Sequence, residues 1–245
     1  MSDLILYDHK SSICSQMARL ALAEKGVSYQ RRQVDIMETN EQFEPWYVAL
    51  NPKAVVPTLQ IGNEVVTDTI KIVNRVQLMD GPDLGGDEST QAWLADIMSL
   101  HYGVLLYRNR VEKDGTAPQI VARGRLLRDM IESRPKLAQL LEVRLSGNRR
   151  MQALLKNPAD IEKHLSATHQ LIKRMIAAVD ANAFIAGPQY SLADCFATAA
   201  MARFKIHQLE PWWRQTPLEA YYGRMRSRPS FTEAEVIETG TERDL

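Results

Sequence analysis

The spacing of apolar residues separates a first part of the chain, which contains short strands, from a second part with helical patterns only. Residues 4–7 form an apolar run typical of a buried strand. Apolar residues at helical spacing follow up to Gly26, which predicts a first helix ended by glycine. Residues 27–34 alternate loosely and predict a second strand, and residues 41–50 predict a short helix that ends before Pro52.

A hairpin and a capped helix complete the first part. Residues 57–61 and 64–67 are strand-like and flank Gly62-Asn63, a pair that predicts a type II′ turn. The polar segment 67–69 then offers a cap for another helix. The resulting order, βαβαββα, is that of a compact α/β domain.

A polar segment marks the boundary after this domain. Residues 80–88 (DGPDLGGDE) hold three glycines, one proline and four acids, the composition of an exposed linker. We therefore predict an α/β domain over 1–80, a linker over 81–88, an all-helical domain over 89–230 and a loosely ordered tail over 231–245. The helical runs of the second domain cover residues 89–112, 118–145 with a break at Pro135, and 160–179.

The strongest local signal in the helical part is a capping box. Ser191 is followed three residues later by Asp194, so that the serine oxygen and the carboxylate each accept a backbone amide at a helix start. This interpretation makes Asp194 structural. The helix over 192–204 is apolar nearly all round and should be buried, with Cys195 packed inside it.

Composition and charge narrow the function classes. The 245 residues are 45% hydrophobic with a formal net charge of +0, so nothing favours nucleic acid or an anionic membrane as partner. No apolar run is long enough to cross a bilayer, and the first residues are too polar for a secretory signal. A cytoplasmic protein is the expectation.

One local charge excess stands out in this neutral chain. Residues 119–150 contain eight Lys or Arg against three acids. A solvated helix face explains this excess most simply, and a channel that attracts an anionic substrate is the alternative.

The best candidate for chemistry is the segment 10–19 (KSSICSQMAR), where a strand passes into a helix. Cys14 lies near the helix start, where unpaired amides and the helix dipole favour an anion. A cysteine in this setting can have its pKa lowered from about 8.5 to roughly 3.5–7.5. Alternatively, Ser11 and Ser12 cap the helix and Cys14 packs as a small hydrophobic residue. With Cys195 as the only other cysteine and no CxxC pair, neither a disulfide framework nor a metal site is indicated.

Two further segments suggest a docking site for a peptide. Val56-Pro57 opens a predicted strand, where a cis bond can turn a backbone amide and carbonyl outward. A peptide could pair there as an extra strand. The following helix begins at Asp68-Thr69, where amides and a hydroxyl could bind a carboxylate.

Four stretches carry a resemblance over essentially the whole chain: SSICSQMARLAL, NPKAVVPTL, VVTDTIKIV and YSLADCFATAAMARF. They resemble the cytosolic glutathione S-transferase family, and within it the zeta-class and tetrachlorohydroquinone reductive dehalogenase-like members. The resemblance implies a thioredoxin-like first domain, a helical domain that contributes the acceptor-substrate pocket, glutathione as co-substrate, and a homodimer.

The resemblance also implies roles for the glutathione-binding positions. The backbone of Val56, before a cis Pro57, would pair with the cysteinyl part of glutathione. Asp68 and Thr69 would hold the γ-glutamyl end, and Lys53 would reach the glycyl carboxylate. Asp68-Thr69 stands where the family more often has an acid or amide followed by serine, which is a chemically mild departure.

Three functions follow from the resemblance. In the first, Ser12 or Ser11 activates glutathione against an aromatic electrophile, and Cys14 then resolves the glutathionyl intermediate, as in reductive dehalogenation or thioether cleavage. In the second, Ser12 supports cis-trans isomerisation or simple conjugation and Cys14 is incidental. The long stretch 112–157 argues against the isomerase substrate. The third is a non-catalytic ligand-binding member of the fold.

Overall fold

The computed structural model describes residues 4–239. The chain divides into two compact units, of which one combines the chain up to Ser99 with the chain from Leu171 onward. The other unit is Leu100–Gln170. The domain bounds given above, with a linker at 81–88, remain a prediction.

A four-stranded mixed sheet forms the centre of the first unit. The strand order is β2-β1-β3-β4, with β1 parallel to β2 and antiparallel to β3, and β3 antiparallel to β4. This arrangement confirms the predicted α/β class. The strands are β1 (Leu4–Asp8), β2 (Gln30–Gln33), β3 (Thr58–Ile61) and β4 (Glu64–Thr67).

The helices follow the predicted order with some changes of bounds. They are α1 (Ile13–Lys25), α2 (Pro45–Leu50), α3 (Thr69–Gln77), α4 (Glu88–Met98), α5 (Tyr102–Tyr107), α6 (Pro118–Ser133), α7 (Ala138–Leu155), α8 (Pro158–Ala181), α9 (Leu192–Ile206), α10 (Pro217–Arg226) and α11 (Pro229–Glu233). The run predicted over 89–112 is two helices, because the chain leaves helical geometry between Met98 and Tyr102.

Several local predictions are confirmed by backbone geometry. Gly26 ends α1 with φ +69°, a left-handed conformation that costs glycine little. Gly62 has φ +57° whereas Asn63 does not have a positive φ, which fits a type II′ turn and excludes type I′. Ser191 and Asp194 form the capping box at the start of α9, and that helix is almost entirely buried.

Polar contacts set the close approach of α6 and α7 in the second unit. A Cβ at Gly124 would lie 2.7 Å from Oδ1 of Asn148, so any other residue there would force the Asn148 side chain to move. The Asn148 side chain donates to the Ile120 carbonyl at 2.8 Å. These contacts pair the two helices as a tight hairpin.

The described part of segment 231–245 reaches residue 239 and is held by contacts. Backbone groups of Ala234 and Ile237 bond to side chains of α1, and Glu238 accepts from three side chains. Residues 234–238 thus make specific contacts, and the loosely ordered tail over 231–245 stays a prediction.

Every helix within residues 4–239 is too short or too polar to cross a membrane. The same residues contain no group of three or more His, Cys, Asp or Glu side chains that could hold a metal ion. The cytoplasmic location and the homodimer remain predictions.

Candidate active site

Strand register brings the three candidate segments to one end of the sheet. Tyr7 of β1 pairs with Thr58 of β3, which pairs in turn with Thr67 of β4. Because β1 and β4 end near this row and β3 begins on it, residues 9–14, 56–57 and 68–69 all leave the sheet on the same side. The three sequence motifs thus lie at one end of the sheet, where they form a candidate site.

Ser12 is the N-cap of α1 and Cys14 is the second residue of that helix. The Ser12 hydroxyl accepts the Ser15 amide at 3.3 Å, and the Ser12 amide donates to the His9 carbonyl at 3.1 Å. A hydroxyl that accepts in this way still has its own proton to donate. Ser12 can therefore cap the helix and donate to an anion at the same time.

Ser11 is buried, and its side chain and carbonyl are both engaged. Its hydroxyl lies 2.9 Å from Nδ1 of His9, and its carbonyl accepts from the Arg203 guanidinium at 2.6 Å. Burial lowers the pKa of His9, which keeps the ring neutral and its Nδ1 able to accept. These contacts favour Ser12 over Ser11 as the donor to a bound thiolate.

The Cys14 thiol has a raised pKa, against the lowering expected at a helix start. Burial is the largest cause, and the negative charge of Asp68 adds to it. The Thr69 side chain, as a hydrogen-bond partner, and the positive charge of Arg203 act in the opposite direction but do not prevail. At neutral pH the free protein therefore holds Cys14 mainly as a thiol.

This pKa predicts the pH profile of Cys14 alkylation. A raised pKa means a smaller thiolate fraction at pH 7 than in an ordinary cysteine, whose reference value is 9.0. The rate constant with iodoacetamide should therefore be below that of free glutathione at pH 7 and should still increase above pH 9. A plateau reached below pH 8 would show that the thiol is activated in the free protein.

Val56 presents an unpaired backbone to the site. The Val56–Pro57 bond is cis, as predicted. Within residues 4–239, neither the amide nor the carbonyl of Val56 takes part in a hydrogen bond. Unpaired backbone groups beside a strand are the requirement for pairing with an added peptide.

Two buried side chains that sequence reasoning missed hold the segment before Pro57. The Tyr47 hydroxyl donates to the Val55 carbonyl at 2.6 Å, and the Asn51 amide donates to the same oxygen at 2.9 Å. Both side chains also contact the Thr58 hydroxyl. Burial raises the pKa of Tyr47 to about 12, so this hydroxyl keeps its proton at neutral pH.

The start of α3 supplies the third part of the site. Asp68 caps the helix by accepting the Lys71 amide at 3.2 Å and has φ +86°. A non-glycine residue in this region is strained, which is a feature of functional sites. Thr69 is buried beside it, and the first amides of a helix have no partner inside the helix. Lys53 is exposed, and its amide donates to Asn51 at 3.0 Å.

Arg203 is the main contact of the candidate site that the sequence did not indicate. It lies on α9, is 6% exposed, and connects that helix to the Ser11 carbonyl. Its charge also acts on Cys14. The available signal was an arginine within a helix that was expected to be buried, since such a charge is seldom buried without a specific role.

The chain is similar to known proteins in sequence and in fold. Residues 11–77 match the family described as glutathione S-transferase, N-terminal domain. Tetrachloro-p-hydroquinone reductive dehalogenase of Sphingobium chlorophenolicum is 32% identical over 249 residues, with 97% of each chain covered. A zeta-class glutathione S-transferase of Euphorbia esula is 37% identical over 70 residues, 29% of this chain and 31% of that protein. The crystal structure of the β-etherase LigF from Sphingobium sp. strain SYK-6 shares the fold, with a TM-score of 0.73 at 19% identity over 95% of this chain and 98% of that chain.

Proposed function

Because the chain belongs to the glutathione S-transferase family and uses glutathione as co-substrate, we propose that Cys14 resolves a glutathionyl intermediate on an aromatic electrophile. The observation that carries this proposal is the position of Cys14, two residues after the Ser12 cap and in contact with Thr69. A thiol at that position can meet the sulfur of a bound glutathione. The relative that matches 97% of the chain is named a reductive dehalogenase, and this name supports the same chemistry.

Glutathione is a tripeptide, and each of its parts has a complementary group in the site. The unpaired amide and carbonyl of Val56 would pair with the cysteinyl residue. Asp68 and the Thr69 hydroxyl and amide would bind the γ-glutamyl amine and carboxylate. Lys53, exposed near this end of the sheet, would neutralise the glycyl carboxylate.

Ser12 would act in the first chemical step. Its hydroxyl proton stabilises the glutathione thiolate, which attacks the ring carbon that carries the leaving group. A carbon–sulfur bond forms and a carbon–halogen or carbon–oxygen bond breaks, with the electron pair leaving on the halide or alkoxide. The product is a glutathionyl-aromatic thioether.

Cys14 would act in the second step. Its sulfur attacks the glutathione sulfur, the carbon–sulfur bond breaks, and the thiol proton ends on the ring carbon, which is thereby reduced. A second glutathione then attacks the Cys14–glutathione disulfide, which yields glutathione disulfide and regenerates the thiol. Overall, two glutathiones supply two electrons to replace the leaving group by hydrogen.

The raised pKa of Cys14 suits this order of events. A resting thiol does not compete with the glutathione thiolate for the electrophile, and it retains the proton that the reduced ring requires. The thiol becomes reactive only when a thioether is held against it. The same fact favours a second candidate, conjugation or isomerisation through Ser12 alone, in which Cys14 stays protonated.

A mass-spectrometric experiment separates these candidates. The protein is incubated with glutathione and, in turn, halogenated hydroquinones, aryl ethers and maleyl-type acids, and is quenched with acid. We expect a glutathionyl adduct on Cys14 with at least one aromatic substrate, together with reduced aromatic product. Turnover with no adduct on Cys14 at any quench time would favour the Ser12 mechanism instead.

A further inference from the structure

We propose that residues 234–238, called the strap below, position Ser12 and Cys14 through two buried side chains of α1, Arg19 and Gln16. The catalytic role of Ser12 and Cys14 rests on the proposed function, but the contacts of the strap do not. Both side chains are at most 1% exposed. Each bonds to the strap at one end and to the backbone before Ser11 at the other.

The Lys10 carbonyl is the point where these contacts converge. It accepts from the Gln16 amide at 3.2 Å and from the Arg19 guanidinium at 3.2 Å. The next carbonyl, that of Ser11, accepts from Arg203. Two successive carbonyls are thus fixed, which sets the peptide planes that lead into the Ser12 cap.

Arg19 connects this turn to the strap and to the sheet. Its Nε donates to the Ala234 carbonyl at 2.6 Å, and its guanidinium pairs with the buried carboxylate of Asp8 at the end of β1. Asp8 also accepts from Arg31 at 2.7 Å, and Arg31 in turn pairs with Glu235 of the strap at 2.7 Å. The strap therefore connects, through the exposed Glu235, to a charge network whose centre, Arg19 and Asp8, is buried.

Gln16 makes the second connection with the two ends of one amide. Its oxygen accepts the Ile237 amide at 3.2 Å, while its nitrogen donates to Lys10. This bridge requires both an acceptor and a donor, which a glutamine side chain supplies. Without the Ile237 amide proton, the Gln16 side-chain oxygen would be buried without a partner, and the Gln16 side-chain nitrogen would lose its fixed orientation.

The far end of the strap is anchored away from the site. The Glu238 carboxylate accepts from Lys205 at 3.2 Å, from Tyr222 at 3.1 Å and from Arg226 at 2.8 Å. Lys205 is two residues after Arg203 on α9. Helix α9 therefore holds both the turn at residues 10–12 and the strap that supports this turn.

The test removes a single amide proton from the strap. Ile237→Pro deletes the donor to Gln16, and Ile237→Ala is the matched control because it keeps that donor. Cys14 labelling by iodoacetamide at pH 7.5 is followed by mass spectrometry without glutathione. We expect roughly threefold to tenfold faster labelling in Ile237→Pro, the size of effect that one lost hydrogen bond gives, and little change in the control.

Cys195 reports on global unfolding in the same samples, because it is fully buried in α9. Faster labelling of Cys14 alone supports the proposal, and an unchanged rate for Cys14 overturns it. If Ile237→Pro also exposes Cys195, Glu238→Gln weakens the anchor more gently and is judged by the same two outcomes.

Turnover gives a second readout. Loss of positioning should lower kcat roughly threefold to tenfold with KM for glutathione nearly unchanged, since the strap contacts neither Val56 nor Thr69. If Ile237→Pro lowers the melting temperature but leaves kcat unchanged, the strap is only a structural support. Labelling requires no turnover, so failure of the proposed function leaves the test of the strap intact.

Discussion

Cys14→Ser should stop the reductive step and accumulate a glutathionyl-aromatic thioether. A serine hydroxyl has the size to fill the site but is a far weaker nucleophile toward sulfur, and no stable bond equivalent to the mixed disulfide can form. We expect reduced product to form more slowly by on the order of a thousandfold, with thioether formation largely retained. Rapid quench and chromatographic separation of thioether and reduced product would measure both rates.

Ser12→Ala is the informative companion to this variant. It removes the cap and the hydroxyl proton offered to glutathione, while Cys14 keeps its place on α1. The reductive mechanism predicts that Ser12→Ala slows thioether formation and that Cys14→Ser slows only its breakdown. If Cys14→Ser keeps the wild-type turnover while Ser12→Ala loses it, Cys14 is incidental, and a thioether or isomerised product in place of reduced product would identify the conjugation or isomerisation mechanism.

Local sequence signals were sufficient for most of the fold and for the three segments that the sheet brings together at the candidate site. The Gly62-Asn63 turn, the Asp68 cap and the box of Ser191 and Asp194 depend on residues within a few positions of one another. Such signals depend only on neighbouring backbone groups, so they can be recognised without knowledge of the tertiary structure. With the strand order known, the register alone places residues 9–14, 56–57 and 68–69 at the same end of the sheet.

Features set by distant residues could not be derived in this way. The Ser11 carbonyl meets Arg203 across 192 positions of sequence, and Arg19 meets the strap across 215. Burial raises the pKa of Cys14 more than Thr69 of α3 and Arg203 of α9 lower it, so the helix start alone gave the wrong direction. Burial is a tertiary property, and it outweighed the local effect of the helix.

Asp194→Ala should produce the largest loss of stability. The carboxylate is fully buried and accepts from the amides of Ile185 and Ser191, at 3.0 and 2.8 Å, and from the Tyr221 hydroxyl at 2.7 Å. Alanine would leave these three donors buried without partners and remove the capping box of α9. We expect the free energy of unfolding to fall by about 3–5 kcal/mol, measured by urea denaturation at fixed protein concentration.

The matched control is the same substitution at Asp96. That carboxylate pairs with Arg174 at 2.7 Å on the surface, where a salt bridge contributes about 0–1 kcal/mol. If Asp194→Ala costs no more than Asp96→Ala, the buried donors must find other partners and the box does not stabilise α9. A large loss of stability in Asp194→Ala would have a functional consequence as well, because α9 carries Arg203, which holds the turn at residues 10–12.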